Sequence, residues 1–300
     1  MVSLEHLRPA AREPALRPAA ERLASLGAER WIGYTRAHEA LAQLEALFVH
    51  EPGKVRPRNL LIVGPTNNGK TMIAEKFCRT HRPHRSEDGE HELIPVLMVQ
   101  MPAEATATRL YMALLVALGT PVGLHGRNDI REALTLRLMR AVGTHLLIID
   151  EVHNLLSAPA RRQHELLHLL RFLGNALRIP LVCLGIRDAY LAIRSDDQLE
   201  NRFHPLLLPP WESGEELARL LASFETVLPL REPSHLTAAP LPELILRRSE
   251  GTIGEIALLL TQATATALRQ NKERIDRAVL ERTDYNPPSV RRRMIERELR

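Results

Sequence analysis

The pattern of hydrophobic and polar residues changes once along the chain, near residue 209. Between residues 59 and 208, short apolar runs are separated by segments whose apolar residues recur at helical spacing. The apolar runs cover residues 60–63, 93–100, 145–150, 180–186 and 206–208. Continuous apolar runs are typical of strands buried on both faces, and strands that alternate with helices favour a parallel sheet with right-handed crossovers. The pattern predicts an α/β fold with a five-stranded parallel sheet flanked by helices.

After Pro209 and Pro210, the apolar residues keep helical spacing alone. Helices are predicted over residues 215–228, 241–249, 253–270 and 276–282, and they indicate a small helical lid domain. Prolines interrupt the pattern at both ends of the chain. We expect a loosely ordered N-terminal arm over residues 1–30, helical only at 19–26, an α/β domain over 31–210, a helical lid over 211–283, and a basic tail over 284–300 in which Pro287 and Pro288 break the structure.

The first apolar run leads into a glycine-containing loop, residues 64–71, with the sequence GPTNNGKT. Phosphate oxygens must be met by several backbone N–H groups at once, and a glycine-bearing loop at a helix N-terminus provides them. The spacing predicts a P-loop for ATP, with Lys70 on the β- and γ-phosphates and the Thr71 hydroxyl on Mg²⁺. A chance match is the alternative, but the strand before the loop and the helix after it are the context that the motif requires. The predicted nucleotide contacts are Gly64, Pro65, Thr66, Asn67, Asn68, Gly69, Lys70, Thr71, Met72 and Asp150.

A second motif follows about 80 residues later, where the apolar run 146–149 ends in two acids, Asp150 and Glu151. Ligands of α/β folds bind at the carboxyl ends of the strands. We expect these acids, on a strand neighbouring the P-loop strand, to face the loop, with Asp150 holding Mg²⁺ and Glu151 polarising the water that attacks the γ-phosphate. A core strand followed by a solvated acidic turn is the alternative.

Composition narrows the class of protein. The 300 residues are 45% hydrophobic, with a net charge of +4 and 13 His, a balance that permits nucleic-acid binding without demonstrating it. No stretch of 18 uncharged apolar residues is present, and Glu5 and Arg8 argue against a signal peptide, so we expect a cytoplasmic protein that does not bind membranes.

Cysteine and histidine give no metal motif. Cys78 and Cys183 each lie in an apolar run, outside any C-x-x-C pattern, so we expect small buried thiols. Residues 81–92 are polar and charged and predict a surface loop, and residues 121–128, with two glycines and a basic residue, predict a second loop. Because no Cys or acidic frame accompanies His81, His84 and His91, a solvated loop is favoured over a metal site.

Taken together, the P-loop, the Asp-Glu pair, a further strand, an arginine after it and a helical lid resemble the AAA+ ATPases over about residues 31–283. In detail the chain is most similar to the TniB/TnsC group of transposition ATPases. The segments that carry this resemblance are residues 31–34 (WIGY), 60–71, 150–156 (DEVHNLL), Gln198–Leu199 with Arg202–Phe203, Gly254, and the tail with Tyr285, residues 287–289 and the arginine run 291–293.

The resemblance implies that ATP binds between neighbouring subunits of a homo-oligomeric ring or filament on double-stranded DNA. It also implies recruitment of a DDE transposase and of a TniQ-type target selector. An arginine of one subunit is expected to reach the γ-phosphate bound by the next, where it neutralises transition-state charge. Arg202 matches that position best, with Arg187 and Arg194 as rivals, and an ordinary surface role is the alternative.

DNA contact of this kind is made mainly to phosphates, so it is largely independent of sequence and sensitive to salt. The candidate residues are Thr106, Thr108, Arg109, Arg127 and Arg131, and a solvated face is the alternative for the arginines. The run 291–293 could contact DNA, dock the transposase or be a disordered solubilising tail.

Two positions depart from the AAA+ pattern. Gly185 and Ile186 stand where many members carry a polar sensor residue, so water positioning there depends on Asp188 or Asn154. The lid carries Glu255 where a sensor arginine is common. We therefore expect slow hydrolysis, which suits a switch better than a motor.

Three functions fit these motifs. The first is an ATP-dependent, DNA-binding regulator of transposition, an ATPase that acts as an assembly platform. The second is a replication initiator or helicase loader, which shares the core chemistry. The third is a small-molecule kinase, against which the Asp-Glu pair and the helical lid both argue.

Overall fold

The computed structural model of the protein describes residues 3–28, 30–120 and 127–299. In these residues the strands are β1 (Asn59–Val63), β2 (His84–Arg85), β3 (Glu92–Leu93), β4 (Val96–Gln100), β5 (Leu146–Asp150), β6 (Leu181–Gly185) and β7 (Phe203–Leu207). The α-helices are α1 (Pro9–Leu16), α2 (Ala19–Ser25), α3 (Thr35–His50), α4 (Lys70–Thr80), α5 (Ala107–Ala117), α6 (Asn128–Ala141), α7 (Ala160–Leu177), α8 (Arg187–Arg194), α9 (Asp197–Glu200), α10 (Glu215–Glu225), α11 (Leu241–Ser249), α12 (Ile253–Arg269), α13 (Arg277–Arg282) and α14 (Pro288–Glu298). A 3₁₀ helix covers Val152–Ser157.

The chain divides into two compact units. The first, called here the sheet unit, consists of Glu39–Thr66 and Lys70–Leu208. The second, called here the helical unit, consists of Met1–His38, Asn67–Gly69 and Pro209–Arg300. The tip of the P-loop, residues 67–69, therefore groups with the helical unit, whereas the rest of the loop groups with the sheet.

The sheet unit is built on five parallel strands in the order β4-β5-β6-β1-β7. The predicted α/β class, the five strands and their parallel direction are confirmed. One expectation is wrong: β5, which carries the two acids, is not the direct neighbour of β1, because β6 lies between them. At about 4.8 Å between strands, the two strand ends are about 10 Å apart, close enough for side chains to meet across β6.

Burial explains why the central strands are readable from the sequence. Every residue of β1, β5 and β6 is buried. Alternate residues point to opposite faces of a sheet. One face, which includes Leu61, Leu147 and Cys183, packs on side chains of α5, α6, α7 and α8 to form the main hydrophobic core. Both cysteines are free thiols, but only Cys183 is buried as expected, whereas Cys78 is half-buried.

The edge strand β7 differs from its prediction. It covers Phe203–Leu207 rather than 206–208, and it pairs with β1 along its whole length. His204 and Pro205 are exposed and do not resemble a buried strand. Proline is tolerated at a sheet edge because its missing N–H can face away from the neighbouring strand.

The polar segment 81–92 contains a short antiparallel pairing of β2 with β3. His81 is not solvated as expected: its ring lies 4.1 Å from that of Phe48 and 4.6 Å from that of Phe77, and it hydrogen-bonds Glu45 at 2.8 Å. Within the described residues, the potential metal ligands that cluster are Asp88, Glu90 and His91, all exposed. Of the predicted loop 121–128, residues 121–126 lie outside the described part of the chain.

The helical unit contains the predicted lid helices as α10 to α13. The N-terminal arm, however, is not loosely ordered, because α1 and α2 are formed there and hydrogen-bond to residues of the lid. Arg22 of α2 is 2% exposed, and its guanidinium makes two hydrogen bonds of 2.7 Å to Glu273 and one of 2.9 Å to the Pro229 carbonyl. Pro9 stands in the first turn of α1, where the missing N–H costs nothing.

The C-terminal tail also departs from its prediction. Pro287 and Pro288 do not break the structure but begin α14, in which Pro288 is the first residue. No residue of α14 is buried. Among the described residues, no helix combines the length and the apolar composition that crossing a bilayer requires. The domain boundaries remain a prediction.

Candidate nucleotide site

The P-loop has the strand–loop–helix geometry that its spacing predicts. The strand β1 ends at Val63 and α4 begins at Lys70, so the first backbone N–H groups of α4 face the loop without partners inside the helix. Gly69 has a φ of 84°, which a residue with a side chain rarely adopts. Asn67 has a φ of 61°, within the left-handed region that asparagine tolerates best among the larger residues. The loop is therefore shaped by residues that permit a tight cradle.

Lys70 lies beneath this loop with 5% of its surface exposed. Its ammonium donates hydrogen bonds to the carbonyl oxygens of Gly64, at 2.9 Å, and Pro65, at 2.7 Å. Burial lowers the pKa of Lys70, and the carboxylates of Glu151 and Asp150 oppose that shift. The positive charge is thus placed under the cradle and close to the two acids.

Thr71 and Asp150 meet directly. The Thr71 hydroxyl donates to Asp150 Oδ2 at 2.6 Å, and the Asp150 Oδ1 accepts the backbone N–H of Glu151 at 2.7 Å. Asp150 is 5% exposed. Both of its carboxylate oxygens are therefore held in place, and a hydroxyl and a carboxylate are the hard oxygen ligands that Mg²⁺ prefers. The donor set fits the predicted metal, which Thr71 and Asp150 would hold.

Glu151 follows in a strained conformation. Its φ of 54° places it in the left-handed region, which is uncommon for glutamate and costs about 1–3 kcal/mol. The strand therefore turns sharply after Asp150, and the Glu151 side chain stays 36% exposed. Its Oε2 lies 3.3 Å from Nε2 of His153, whose buried Nδ1 has no hydrogen-bond partner among the residues that the structure describes. Left-handed residues of this kind are concentrated at functional sites.

Both acids open onto one cleft. This cleft has a volume of about 390 Å³ and is lined by Thr71, Glu75, Met98, Val99, Gln100, Asp150 and Glu151. Of the other predicted contacts, Thr66 is exposed, Met72 is half-buried in the first turn of α4, and Asn68 is 3% exposed. The structure thus brings Lys70, Thr71, Asp150 and Glu151 together at one end of the sheet.

The tip of the P-loop contacts the lid. Asn68 donates to the Pro209 carbonyl at 3.0 Å and accepts the Ile253 N–H at 3.3 Å. The Gly254 N–H donates to the Asn67 carbonyl at 3.0 Å. A Cβ on Gly254 would collide with the Asn67 side chain, so only glycine lets the start of α12 approach the loop this closely.

The expected departures from the AAA+ pattern have structural reasons. At Gly185, a Cβ would lie 2.5 Å from the Cβ of Ala189 and 3.3 Å from Cγ1 of Val152, so the packing excludes any polar side chain there. Asn154 does not replace it, since its amide donates to the Met101 carbonyl at 3.0 Å. Asp188 lies exposed in the first turn of α8.

Arg202 lies in the turn before β7, half-buried, and donates to Asn175 at 2.6 Å. Burial lowers the pKa of its guanidinium, and the charges of Arg56 and Arg171 act in the same direction. Of its rivals, Arg187 is exposed, and Arg194 forms an exposed ion pair with Glu200.

The residues predicted to contact DNA are two threonines at one cleft and three arginines that differ in exposure. Thr106 caps α5 by accepting the Arg109 N–H at 3.2 Å, and Thr108 donates to Asn128 at 2.9 Å. Their cleft, of about 230 Å³, is lined by Thr106, Ala107, Thr108, Asn128, Arg162, Glu165 and Leu166. Arg109 and Arg127 are exposed and pair with Glu104 and Asp129, whereas Arg131 is 6% exposed.

Two contacts near the P-loop and its acids could not be predicted from the sequence. The His153 ring beside Glu151 depends on the left-handed turn, which the letters D-E-V-H do not reveal. The Glu255 carboxylate accepts hydrogen bonds from Tyr285 and Arg291, about 30 residues later, which only the folded lid brings together. The sequence drew attention to these two residues separately, to Tyr285 as part of the family resemblance and to Glu255 as a departure from the AAA+ pattern, but it did not indicate that they are in contact.

Comparison with solved structures establishes the fold. The ORC2 protein of Aeropyrum pernix, in its ADPNP–ADP complexes, matches with a TM-score of 0.62 and 17% identity over 87% of this chain and 71% of that chain. The ORC1 protein of the same organism, in complex with DNA, matches with a TM-score of 0.54 and 18% identity over 93% and 69% of the two chains. The RuvB Holliday junction branch migration motor of Thermotoga maritima gives 0.52 and 17% over 87% and 72%. These are AAA+ P-loop folds, and the chain shares that fold.

A family comparison identifies the chain further. No curated protein sequence matches it. The family model described as "Bacterial TniB protein" matches residues 22–213, which include the P-loop, both acids and Arg202. Because this match covers more than half of the 300 residues, the chain belongs to the TniB family of bacterial proteins.

Proposed function

We propose that this protein binds ATP at the carboxyl end of its sheet and hydrolyses it slowly. The observation that carries the proposal is the contact of the Thr71 hydroxyl with Asp150 at 2.6 Å, beside a buried Lys70. A helix N-terminus, a buried ammonium and a fixed carboxylate in one place form a binding site for a metal-bound polyphosphate. Neither a chance glycine loop nor a solvated acidic turn requires that arrangement.

Each residue has a role in this reaction. Backbone N–H groups of residues 66–71 and the Lys70 ammonium bind the phosphates, and Thr71 with Asp150 would hold Mg²⁺. When bound, Mg²⁺ supplies positive charge that offsets the charge developing on the β- and γ-phosphate oxygens. Glu151 accepts a proton from the attacking water or orients that water. Arg202 of a neighbouring subunit contributes a further positive charge at the γ-phosphate.

Slow turnover follows from the packing at Gly185. No polar side chain fits at Gly185, and the Asn154 amide is hydrogen-bonded to the Met101 carbonyl. The attacking water is therefore oriented by Glu151 without a second polar side chain from either position. Loss of one orienting contact lowers a hydrolysis rate by about 10²-fold or more. A slow enzyme of this kind remains in its ATP-bound state for long periods and acts as a switch.

We further propose that the ATP-bound protein assembles as a ring or filament on duplex DNA and regulates transposition. Membership of the TniB family supports this role, with a DDE transposase and a TniQ-type target selector as its partners. The exposed Arg109 and Arg127 are suited to phosphate contact, because their ion pairs with Glu104 and Asp129 are exposed and worth little. Arg131 is left out of the proposed DNA surface because it is buried.

Replication initiation is the second candidate, because ORC proteins share the fold. At 17–18% identity this likeness concerns the fold alone, whereas the family match places the chain with TniB. Association with a transposase rather than with a replicative helicase distinguishes the two functions. A small-molecule kinase is disfavoured, because Glu151 is suited to activating water, and no product other than ADP and phosphate is expected.

The proposal is tested with two variants of opposite behaviour. Lys70→Ala removes the charge under the loop and is expected to weaken binding of a fluorescent ATP analogue by at least about 100-fold, the equivalent of about 2.7 kcal/mol. Glu151→Gln is expected to bind the analogue like wild type but to hydrolyse ATP about 10²–10⁴-fold more slowly. It should also remain on duplex DNA longer in the presence of ATP.

Fluorescence anisotropy measures the binding and single-turnover phosphate release measures the hydrolysis, each with and without DNA. Wild-type protein that ignores ATP would refute the proposed site. Normal hydrolysis by Glu151→Gln would instead leave the site in place and show that another group is the catalytic base.

A further inference from the structure

The Glu255 carboxylate joins three segments of the helical unit. It lies in the first turn of α12 and is 8% exposed. Its Oε1 accepts hydrogen bonds from Arg291 at 2.6 Å and from the Asn67 amide at 3.3 Å, and its Oε2 accepts the Tyr285 hydroxyl at 2.7 Å. The lid, the tip of the P-loop and the C-terminal tail therefore meet at one buried negative charge.

A negative charge at this place opposes the proposed function unless it is balanced. Asn67 belongs to the loop that cradles phosphates, so a bare carboxylate against its side chain would repel a bound polyphosphate. A buried carboxylate also needs partners, because removing one partner of a buried pair leaves an uncompensated charge. Within the described residues, Arg291 is the cationic group in hydrogen-bond contact with Glu255.

The other two partners, the Asn67 amide and the Tyr285 hydroxyl, are neutral and cannot balance the charge. Burial raises the pKa of Tyr285, and its hydrogen bond to Glu255 raises it further, so the phenol stays neutral and serves only as a donor. The same carboxylate raises the pKa of the Arg291 guanidinium, which stays charged. Compensation of Glu255 thus depends on one residue of α14.

The docking of α14 rests on few contacts. No residue of this helix is buried, and the Arg291 side chain is 42% exposed. Besides the Arg291 ion pair, the backbone N–H of Ser289 donates to Glu250 at 3.1 Å. Pro288, Val290 and Arg291 are half-buried, and the rest of the helix is exposed. A helix with so little buried surface can leave its site at small cost, and the charge on Glu255 is then exposed to the P-loop.

We infer that Arg291 is a positioning residue for the nucleotide site: it neutralises Glu255 beside the P-loop tip, so that tight nucleotide binding requires a docked C-terminal helix. The inference rests on the proposed function, since it concerns the affinity of the same site for ATP. By thermodynamic reciprocity, bound nucleotide also favours the docked tail. A partner that contacts the C-terminal helix would therefore meet it docked more often when nucleotide is bound.

The test uses the full chain and four variants. Arg291→Ala removes the compensating charge, Arg291→Lys retains it, and Glu255→Gln removes the charge that needs compensation. Arg292→Ala is the matched control, because Arg292 is the exposed next residue of the same helix. Affinity is measured by anisotropy of a fluorescent ATP analogue with Mg²⁺, and stability by thermal unfolding of the same samples.

Arg291→Ala is expected to raise the Kd at least about tenfold, whereas Arg292→Ala stays within about twofold. Arg291→Lys should recover most of the affinity. In the Glu255→Gln background, Arg291→Ala should have almost no effect on the Kd, because the charge to be balanced is gone. An unchanged Kd for Arg291→Ala, or an equal loss in the two backgrounds, overturns the inference, and a merely structural role would predict that equal loss.

A second measurement works without nucleotide. Hydrogen exchange of the unliganded chain is expected to speed up at residues 285–298 and also at the amides 67–69 in Arg291→Ala, but not in Arg292→Ala. Should wild-type protein bind no ATP analogue, the proposed function fails, and this exchange result still shows whether Arg291 orders the tip of the P-loop. Faster exchange confined to the tail would show that Arg291 does not act on the P-loop.

Discussion

Thr71 and Asp150 lie 79 residues apart in the sequence, yet their side chains are joined by a hydrogen bond of 2.6 Å. The bond is made across β6, because Thr71 is the second residue of α4 and Asp150 is the last residue of β5. The hydroxyl fixes one carboxylate oxygen and the Glu151 N–H fixes the other. Two side chains held in this way need little reorganisation to bind the proposed cation, and such preorganisation is what a catalytic metal site requires.

This pair gives a prediction with a closely matched control. Thr71→Val keeps the shape of the side chain and removes the hydroxyl, so the proposed site loses a metal ligand and Asp150 loses a donor. We expect Mg²⁺-dependent hydrolysis to fall by at least about 10²-fold. Thr71→Ser keeps the hydroxyl and should stay within about fivefold of wild type. Hydrolysis measured over a Mg²⁺ titration checks both variants, and equal rates for valine and serine would contradict the metal role of Thr71.

Residues of this site differ in how far the sequence predicts them. Gly69, Lys70 and Thr71 could be predicted because their partners lie within the loop or in a second apolar run with its own motif. The pairing of Glu255 with Arg291 could not, since the two residues lie 36 apart and neither motif implies the other. The same holds for the left-handed turn at Glu151, which depends on how β5 meets the 3₁₀ helix after it.

At the scale of elements, burial decides what the sequence reveals. The strands β1, β5 and β6 are fully buried, so their apolar runs are unbroken and readable. The edge strand β7 carries exposed His204 and Pro205, and the arm helices α1 and α2 begin next to prolines that resemble breakers. Both predictions were wrong because sequence periodicity reports one-sided or complete burial. The edge strand is held by its pairing with β1, and the arm helices are held by hydrogen bonds from Arg231 to carbonyl groups of α1 and by the buried ion pair of Arg22 with Glu273.

That ion pair gives a prediction for the arm. Arg22 is 2% exposed and makes two hydrogen bonds to Glu273, so Arg22→Ala leaves a poorly compensated carboxylate and a cavity. We expect the free energy of unfolding to fall by about 3 kcal/mol. Arg17→Ala is the control: its pair with Glu13 is exposed, and its loss should cost less than about 0.5 kcal/mol. Urea denaturation followed by circular dichroism measures both.

The same pair sets a pH dependence. Burial acts to raise the pKa of Glu273, but hydrogen bonds from Arg22 and from the Arg231 N–H outweigh it, so the pKa lies below its ordinary value of 4.5. A lowered carboxyl pKa contributes stability that is present above about pH 4.5 and is lost as the pH falls through the folded-state pKa. The gap between wild type and Arg22→Ala should stay constant from pH 7 to about 4.5 and then shrink. A constant gap down to pH 3 would mean that the ion pair contributes packing alone.

At the scale of the whole molecule, the arrangement of charges agrees with the proposed assembly. Lys70 is the buried cation of the candidate site, whereas Arg202 belongs to a separate cationic group with Arg56 and Arg171, at the turn before β7. The charges of Arg56 and Arg171 disfavour the charge of Arg202, and Asp196 offsets this effect only in part, so an anion brought to this group would relieve the remaining repulsion. A triphosphate bound by a neighbouring copy of the chain is such an anion, which is the physical basis for expecting Arg202 to act between subunits.

Mixing two inactive variants tests this directly. Arg202→Ala keeps its own Glu151, and Glu151→Gln keeps its own Arg202, so each variant alone should hydrolyse ATP at least about 10²-fold more slowly than wild type. In a cyclic or filamentous assembly of equal parts, about a quarter of the interfaces pair an intact Glu151 with an intact Arg202, and activity should recover to about that fraction.

The recovery separates action between subunits from action within one. If Arg202 served the site of its own chain, mixing would restore nothing, because every chain would lack one of the two groups. Arg194→Ala, which removes the rival that pairs with Glu200, serves as the matched control and should retain wild-type turnover. Hydrolysis that stays at the level of the separate variants, in samples shown by light scattering to be co-assembled on duplex DNA, would exclude Arg202 as the residue that reaches the neighbouring nucleotide.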